Sequence, residues 1–212
     1  MKLHPQFPYA LYLVISQEAC KEKDMIQVAQ QAIRGGVDII QLREKKASEK
    51  LFLHRAQQLR ELTEKHDVPL IINDNPKVAS KVGTAGIHVG NRDARPTVLR
   101  KEPYFMERMI GYSIEYLEQL DNGETATSDY LGISPVFRTD TKRDTVTEWG
   151  LEGIAKIRQL TTKPLVGIGN LHPENAGSVI RAGADCIAVV SAICGAEDPE
   201  KAAYELKNAI LK

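Results

Sequence analysis

The chain has 212 residues, 42% of them apolar, enough for a buried core and better suited to one domain spanning residues 1–212 than to two small ones. Lys plus Arg and Asp plus Glu both number 28, so no basic field favours nucleic acid or a membrane surface, and the expected ligand is small. Cys20, Cys186 and Cys194 lack CxxC spacing and cannot all pair, and the amino terminus MKLHPQFPYALYLVIS carries neither a cleavage site nor a long apolar span, which together predict buried thiols in a cytoplasmic protein.

Short β-rich runs recur along the chain. The first is ALYLVI (10–15), followed by a helical pattern, MIQVAQQAIRGG, from Met25. DIIQL (38–42) precedes a second helical pattern, LFLHRAQQLRELTEKH, from Leu51, with apolar positions three and four apart. PLII (69–72), GIHV (86–89), MIGYS (109–113) and DYLGI (129–133) follow, and the segment 121–129 between the last two is the least regular zone, predicted as a helix end and surface turn. PLVGI (164–168) and CIAVV (186–190) complete eight candidate strands. Nearly continuous apolar character suits strands covered on both faces, as in parallel sheets. RGGVDIIQ, GTAGIHVG, TSDYLGIS and RAGADCIAVV repeat one plan, with a Gly or Asp ending a helix just ahead of a strand. The pattern predicts an α/β fold, a (β/α)8 TIM barrel, with a doubly wound open sheet as the alternative.

In such a barrel the chemistry gathers where strands end. After the second strand, Gln41, Arg43 and Lys45 alternate and so share one face, an arrangement suited to an anion and equally to a solvated edge or an ion pair with Glu44. Asn73, Asp74 and Asn75 follow the third strand, and Asn91, Arg92 and Asp93 the fourth. Consecutive parallel strands deliver their ends to one rim, so Asp74 and Asp93 can share a Mg2+ that also binds substrate phosphate; capping of the following helices is the competing reading. SPVFRTDTKRDT offers Thr139, Thr141 and Lys142 on a long loop, for phosphate or a polar substrate or as an ordinary polar loop. GIGNLHPEN and VVSAICGAEDPE follow the last two strands, where barrels commonly build a phosphate site from backbone N–H groups, with Gly167 and Gly169 allowing close approach or serving only the turn. His54, His66, His88 and His172 show no metal spacing and are assigned structural roles, and Trp149 is expected to pack the sixth loop on its helix.

Taken in order, QLREK, IINDN, GIHVGNRD, GYS, TDTK, VGIGN and GADCIAVVSAI resemble thiamin phosphate synthase over nearly the whole chain, from about Leu11 to Pro199. The resemblance implies a (β/α)8 barrel that joins 4-amino-2-methyl-5-hydroxymethylpyrimidine diphosphate to 4-methyl-5-(2-phosphooxyethyl)thiazole, releasing pyrophosphate. It implies that the 41–45 segment (Gln41, Leu42, Arg43, Glu44, Lys45) with Asn73 holds the pyrimidine diphosphate, with Ser113 and Lys142 contacting it from other loops. Arg43, Lys45, Ser113 and Lys142 are the implied catalytic residues, and Asp74 and Asp93 the implied Mg2+ ligands. Thr139, Asp140 and Thr141 would face the thiazole, whose phosphate would lie near Asn170, Val190 and Ser191. The pattern departs from the family at Asn170, where a second glycine is usual, at Ser134, Arg138 and Asn91, and at Glu115, where a His is usual. That His marks a sister group of thiazole tautomerases, and its replacement favours the synthase. A non-catalytic thiazole or thiamin phosphate binder is the remaining alternative, and the pattern leaves room for a homo-oligomer.

Overall fold

The computed structural model describes residues 3–139 and 147–211. Eight strands, β1 (Leu11–Ile15), β2 (Ile39–Leu42), β3 (Leu70–Asn73), β4 (Gly86–Val89), β5 (Met109–Ile114), β6 (Tyr130–Ile133), β7 (Leu165–Ile168) and β8 (Cys186–Val189), pair in chain order. Every pairing is parallel, and β8 returns to β1 with Leu13 opposite Val189, which closes the barrel and excludes the open sheet. Strand bounds agree with the apolar runs to within a residue or so, because each run is buried on both faces. Helices such as Met25–Arg34, Glu49–Lys65, Pro173–Arg181 and Pro199–Leu211 cover the outside. Among the described residues no helix is long and apolar enough to cross a membrane.

Alternation along the strands sorts side chains into two cores. Leu11, Leu13, Ile15, Ile40, Leu42, Ile72 and Ile187 face the helices, whereas Tyr12, Val14, Ile39, Ile71, Tyr130, Val166, Cys186 and Ala188 fill the barrel. Phe7, from the N-terminal segment, joins the inner group with its ring 4.7 Å from that of Tyr130. All three cysteines are buried and unbridged. Trp149 lies in the outer core at the head of helix Gly150–Leu160, and Gly153 sits directly beneath its ring. The 121–129 segment differs from expectation: it contains its own helix, Gly123–Thr127, because the Asn122 side chain caps the Thr125 N–H.

The repeated Asp ahead of a strand has a defined use. Asp38 accepts the N–H groups of Ala10 and Leu11 at 2.9 Å each and pairs with Lys207. Asp129 accepts the Ile110 N–H at 2.7 Å and pairs with Arg100 at 2.6 Å, and Asp185 accepts the Leu165 N–H at 2.8 Å and pairs with Arg158 at 2.9 Å. Each carboxylate satisfies backbone donors at the start of the preceding strand and ties them to a covering helix or its flanking turn. The N-terminal rim is thereby stapled three times.

Candidate active site

At the opposite, C-terminal rim a cavity of about 780 Å³ opens into the barrel. Alternation continues past the end of β2, so Gln41, Arg43 and Lys45 line it. Leu42 and Glu44 do not. Leu42 belongs to the outer core, and Glu44 turns outward to accept the Gln17 N–H at 3.0 Å and pair with Arg55 at 2.9 Å. The expected substrate-facing role of these two side chains is therefore corrected, as is the reading in which Glu44 neutralises its neighbours. Among the described residues Arg43 has no carboxylate partner, so its guanidinium is available to an anion.

Asp74 and Asp93 converge here. Asp74 sits in left-handed backbone at φ 60°, held by its N–H to the His88 carbonyl at 2.9 Å, which aims the side chain into the cavity toward Lys45, with which it pairs. Capping falls to Asn75 instead, whose Oδ1 accepts the Val78 N–H at 3.0 Å. Asp93 does not cap the next helix either; Arg95 precedes Pro96–Leu99, and Asp93 accepts the Gly90 N–H at 2.8 Å. Both capping readings are thus overturned. Burial raises the Asp93 pKa first, a shared hydrogen bond with the Asp74 carboxyl raises it next, and the Gly90 N–H and Lys45 oppose the shift. Two carboxyls from separate strands therefore meet beside two cations.

On the far wall, Gly169 (φ 124°) and Asn170 (φ 50°) form a left-handed turn after β7. A Cβ on Gly169 would lie 2.7 Å from Pro135 Cβ, so only glycine fits, and Asn is among the few other residues that tolerate such backbone at the next position. Gly167 instead packs outward on Val179 and Val136, a structural role. Asn170, Val190 and Ser191 line this wall, as do Asn73, Ser113 and Thr139 elsewhere in the cavity. Asp140, Thr141 and Lys142 lie outside the described residues.

The chain belongs to the thiamine monophosphate synthase family. The family model of that description matches residues 11–193. A thiamine-phosphate synthase of Albidiferax ferrireducens is 44% identical over 94% of this chain and 91% of its own length, and one of Syntrophomonas wolfei 39% over 94% and 95%. The solved thiamine phosphate pyrophosphorylase from Pyrococcus furiosus superposes with a TM-score of 0.86 at 32% identity, covering 96% of each chain.

Two departures from the thiamine monophosphate synthase pattern are partners: Asn91 Nδ2 donates to Glu115 Oε2 at 2.8 Å, and Asn91 Oδ1 receives Gln119 Nε2 at 2.7 Å. This pair joins the loops after β4 and β5. Arg138 is exposed and does not line the cavity. Three cavity residues carry more than the sequence reading assigned them. His88, given a structural role, bonds Ser113 Oγ at 2.9 Å and Tyr130 at 3.2 Å, and Tyr12 joins Tyr130 to Gln41. Their strand parity was the available signal, since His88 stands opposite Asn73 and points the same way.

Proposed function

We propose that this chain is a thiamin phosphate synthase, one barrel domain that condenses 4-amino-2-methyl-5-hydroxymethylpyrimidine diphosphate with 4-methyl-5-(2-phosphooxyethyl)thiazole. The observation that carries the reading is the convergence of Asp74 and Asp93 with Lys45 and Arg43 at one mouth of the barrel. Family membership supports the same chemistry.

The donor set fits Mg2+: two carboxylates, hard oxygen donors on adjacent loops, leave the remaining positions to water and phosphate oxygens. When bound between Asp74 and Asp93, Mg2+ would supply Lewis-acid stabilisation of the diphosphate. Arg43 and Lys45 hold the diphosphate from the β2 side, with Lys142 on the sixth loop assigned the same work by the resemblance. The bond between the pyrimidine methylene carbon and the diphosphate oxygen breaks, and its electron pair leaves with the oxygen. Negative charge therefore grows where Arg43 and Lys45 stand, so these cations favour the transition state over the ground state. The thiazole nitrogen lone pair then forms the new C–N bond, with no proton to remove and no general base required. The wall of Gly169, Asn170, Val190 and Ser191 holds the thiazole phosphate, and holding both substrates inside the cavity keeps water from capturing the pyrimidine cation first. The substrates are small molecules, and the cytoplasm suits them.

Purified protein supplied with both substrates and Mg2+ is expected to form thiamin phosphate and pyrophosphate in equal amounts. Binding of the thiazole phosphate without pyrophosphate release would instead mark a non-catalytic binder.

A further inference from the structure

A row of side chains lining the cavity crosses the barrel, and the group at one end forces the direction of every hydrogen bond in it. Gln41 Nε2 donates to the Tyr12 hydroxyl at 2.9 Å. An amide nitrogen accepts nothing, so Tyr12 sends its own proton to its other partner, the Tyr130 hydroxyl at 3.0 Å. Tyr130 in turn donates to His88 Nδ1 at 3.2 Å. Nδ1 is thereby an acceptor, and a neutral imidazole then carries its proton on Nε2, which lies 2.9 Å from Ser113 Oγ. Burial, the largest cause in each case, raises the pKa of both phenols, so both keep their protons. An imidazolium at His88 would aim a second proton at Tyr130, leaving the Tyr130 proton without an acceptor among the described residues in a fully buried position.

The barrel makes room for this row at two glycines. A Cβ on Gly111 would stand 2.2 Å from Tyr130 Cζ and 2.4 Å from His88 Nδ1, and one on Gly132 would stand 2.9 Å from His88 Cε1. Any larger residue at Gly111 displaces both rings.

We infer that Tyr12, Tyr130 and His88 form a one-way relay that holds His88 as the neutral Nε2–H tautomer, so that Ser113 presents a proton to the cavity and Gln41 presents Oε1. Ser113 accepts from His88, which frees its own proton for an acceptor on the substrate. Gln41, with Nε2 engaged, offers a lone pair that suits an exocyclic amine. A donor and an acceptor thus stand at opposite ends of the row, a polarity matched to an aminopyrimidine. Tyr12, Tyr130 and His88 are positioning residues acting through Ser113 and Gln41. The substrate match rests on the proposed function; the relay does not. A Gln41 amide turned by half a rotation would reverse every bond, place the His88 proton on Nδ1 and make Ser113 donate to Nε2, leaving Ser113 only lone pairs for the cavity, so the tautomer reads out the direction.

The test is the two-bond ¹H–¹⁵N correlation pattern of the His88 ring in the full-length, ¹⁵N-labelled protein, assigned by through-bond correlation and by its disappearance in His88→Gln. A protonated Nε2 with a bare Nδ1 is expected; a protonated Nδ1, alone or with Nε2, overturns the relay. Tyr130→Phe removes the donor to Nδ1, and Tyr12→Phe removes the proton that fixes the direction at Tyr130, so each is expected to give a mixed tautomer pattern. An unchanged pattern in Tyr130→Phe also overturns the relay. In turnover, Tyr130→Phe is expected to lower kcat/KM about tenfold, the size of one lost oriented hydrogen bond, and an unchanged value severs the link to Ser113. A protein that makes no thiamin phosphate yet shows the Nε2–H pattern keeps the relay and loses only the substrate reading.

Discussion

The two rims of this barrel use the same side chain in opposite ways. At the N-terminal rim Asp38, Asp129 and Asp185 each receive a strand N–H and a Lys or Arg, so each charge is compensated by the fold itself. At the C-terminal rim Asp74 and Asp93 face each other with Lys45 as their shared cation, and Asp93 is pushed toward its protonated form. Compensated carboxylates hold a structure together; crowded ones cost folding energy and are kept for what they bind. On the proposed function, the barrel separates stability from chemistry by the end of the strand on which an Asp stands.

Substitutions can break that separation. The largest effect is expected from Asp74→Ala combined with Asp93→Ala, which removes the proposed cation site and is expected to lower kcat by about 10³-fold or more while the fold survives, as steady-state kinetics and thermal melting will show. Activity surviving the double change contradicts the metal role. Arg43→Ala comes next, with kcat/KM down about 100-fold, whereas Glu44→Gln one residue later is expected to alter stability through Arg55 and leave turnover nearly intact. Asp185→Ala inverts the pattern: loss of the Leu165 and Arg158 bonds lowers stability by about 2 to 3 kcal/mol, read in urea, with little change in kcat of the folded enzyme.

The smallest effect sharpens the comparison by its sign. The Asp93 pKa is raised on folding, so its ionised form is penalised in the native state; the penalty is fully present above the folded pKa and disappears as pH falls below the unfolded one. Asp93→Asn should therefore raise the metal-free melting temperature by about 1 to 2 °C near pH 7, a gain that fades in acid, while abolishing most activity. A lower melting temperature at pH 7 would mean that Asp93 is a structural carboxylate like Asp185.

Much of this architecture was legible in the chain. The strand runs were unambiguous because strands buried on both faces read as continuous apolar stretches, and β/α alternation left few topologies. Parity past the end of β2 correctly turned Gln41, Arg43 and Lys45 inward, and the same parity applied to Leu42 and Glu44 would have excluded them. Capping could not be decided from residue types, since IINDN offers three Asx residues and only the left-handed turn at Asp74 selects Asn75 as the cap. His88 was underrated for a related reason. A lone His in an apolar strand reads as core, and its partners Ser113 and Tyr130 lie on other strands, so the row exists only once the barrel closes. Asn122 supplied an N-cap in a segment too polar and too short for periodicity to register as a helix.

The central claim is that two carboxylates on neighbouring strands grip one Mg2+ against a departing diphosphate. The most direct measurement is isothermal titration of the purified protein with inorganic pyrophosphate, with and without Mg2+, beside the Asp74→Ala, Asp93→Ala double variant. Pyrophosphate binding that tightens by an order of magnitude or more with Mg2+ in the native protein, and loses that gain in the variant, is the predicted result. Equal affinity with and without Mg2+, or an equal gain in both proteins, would contradict it.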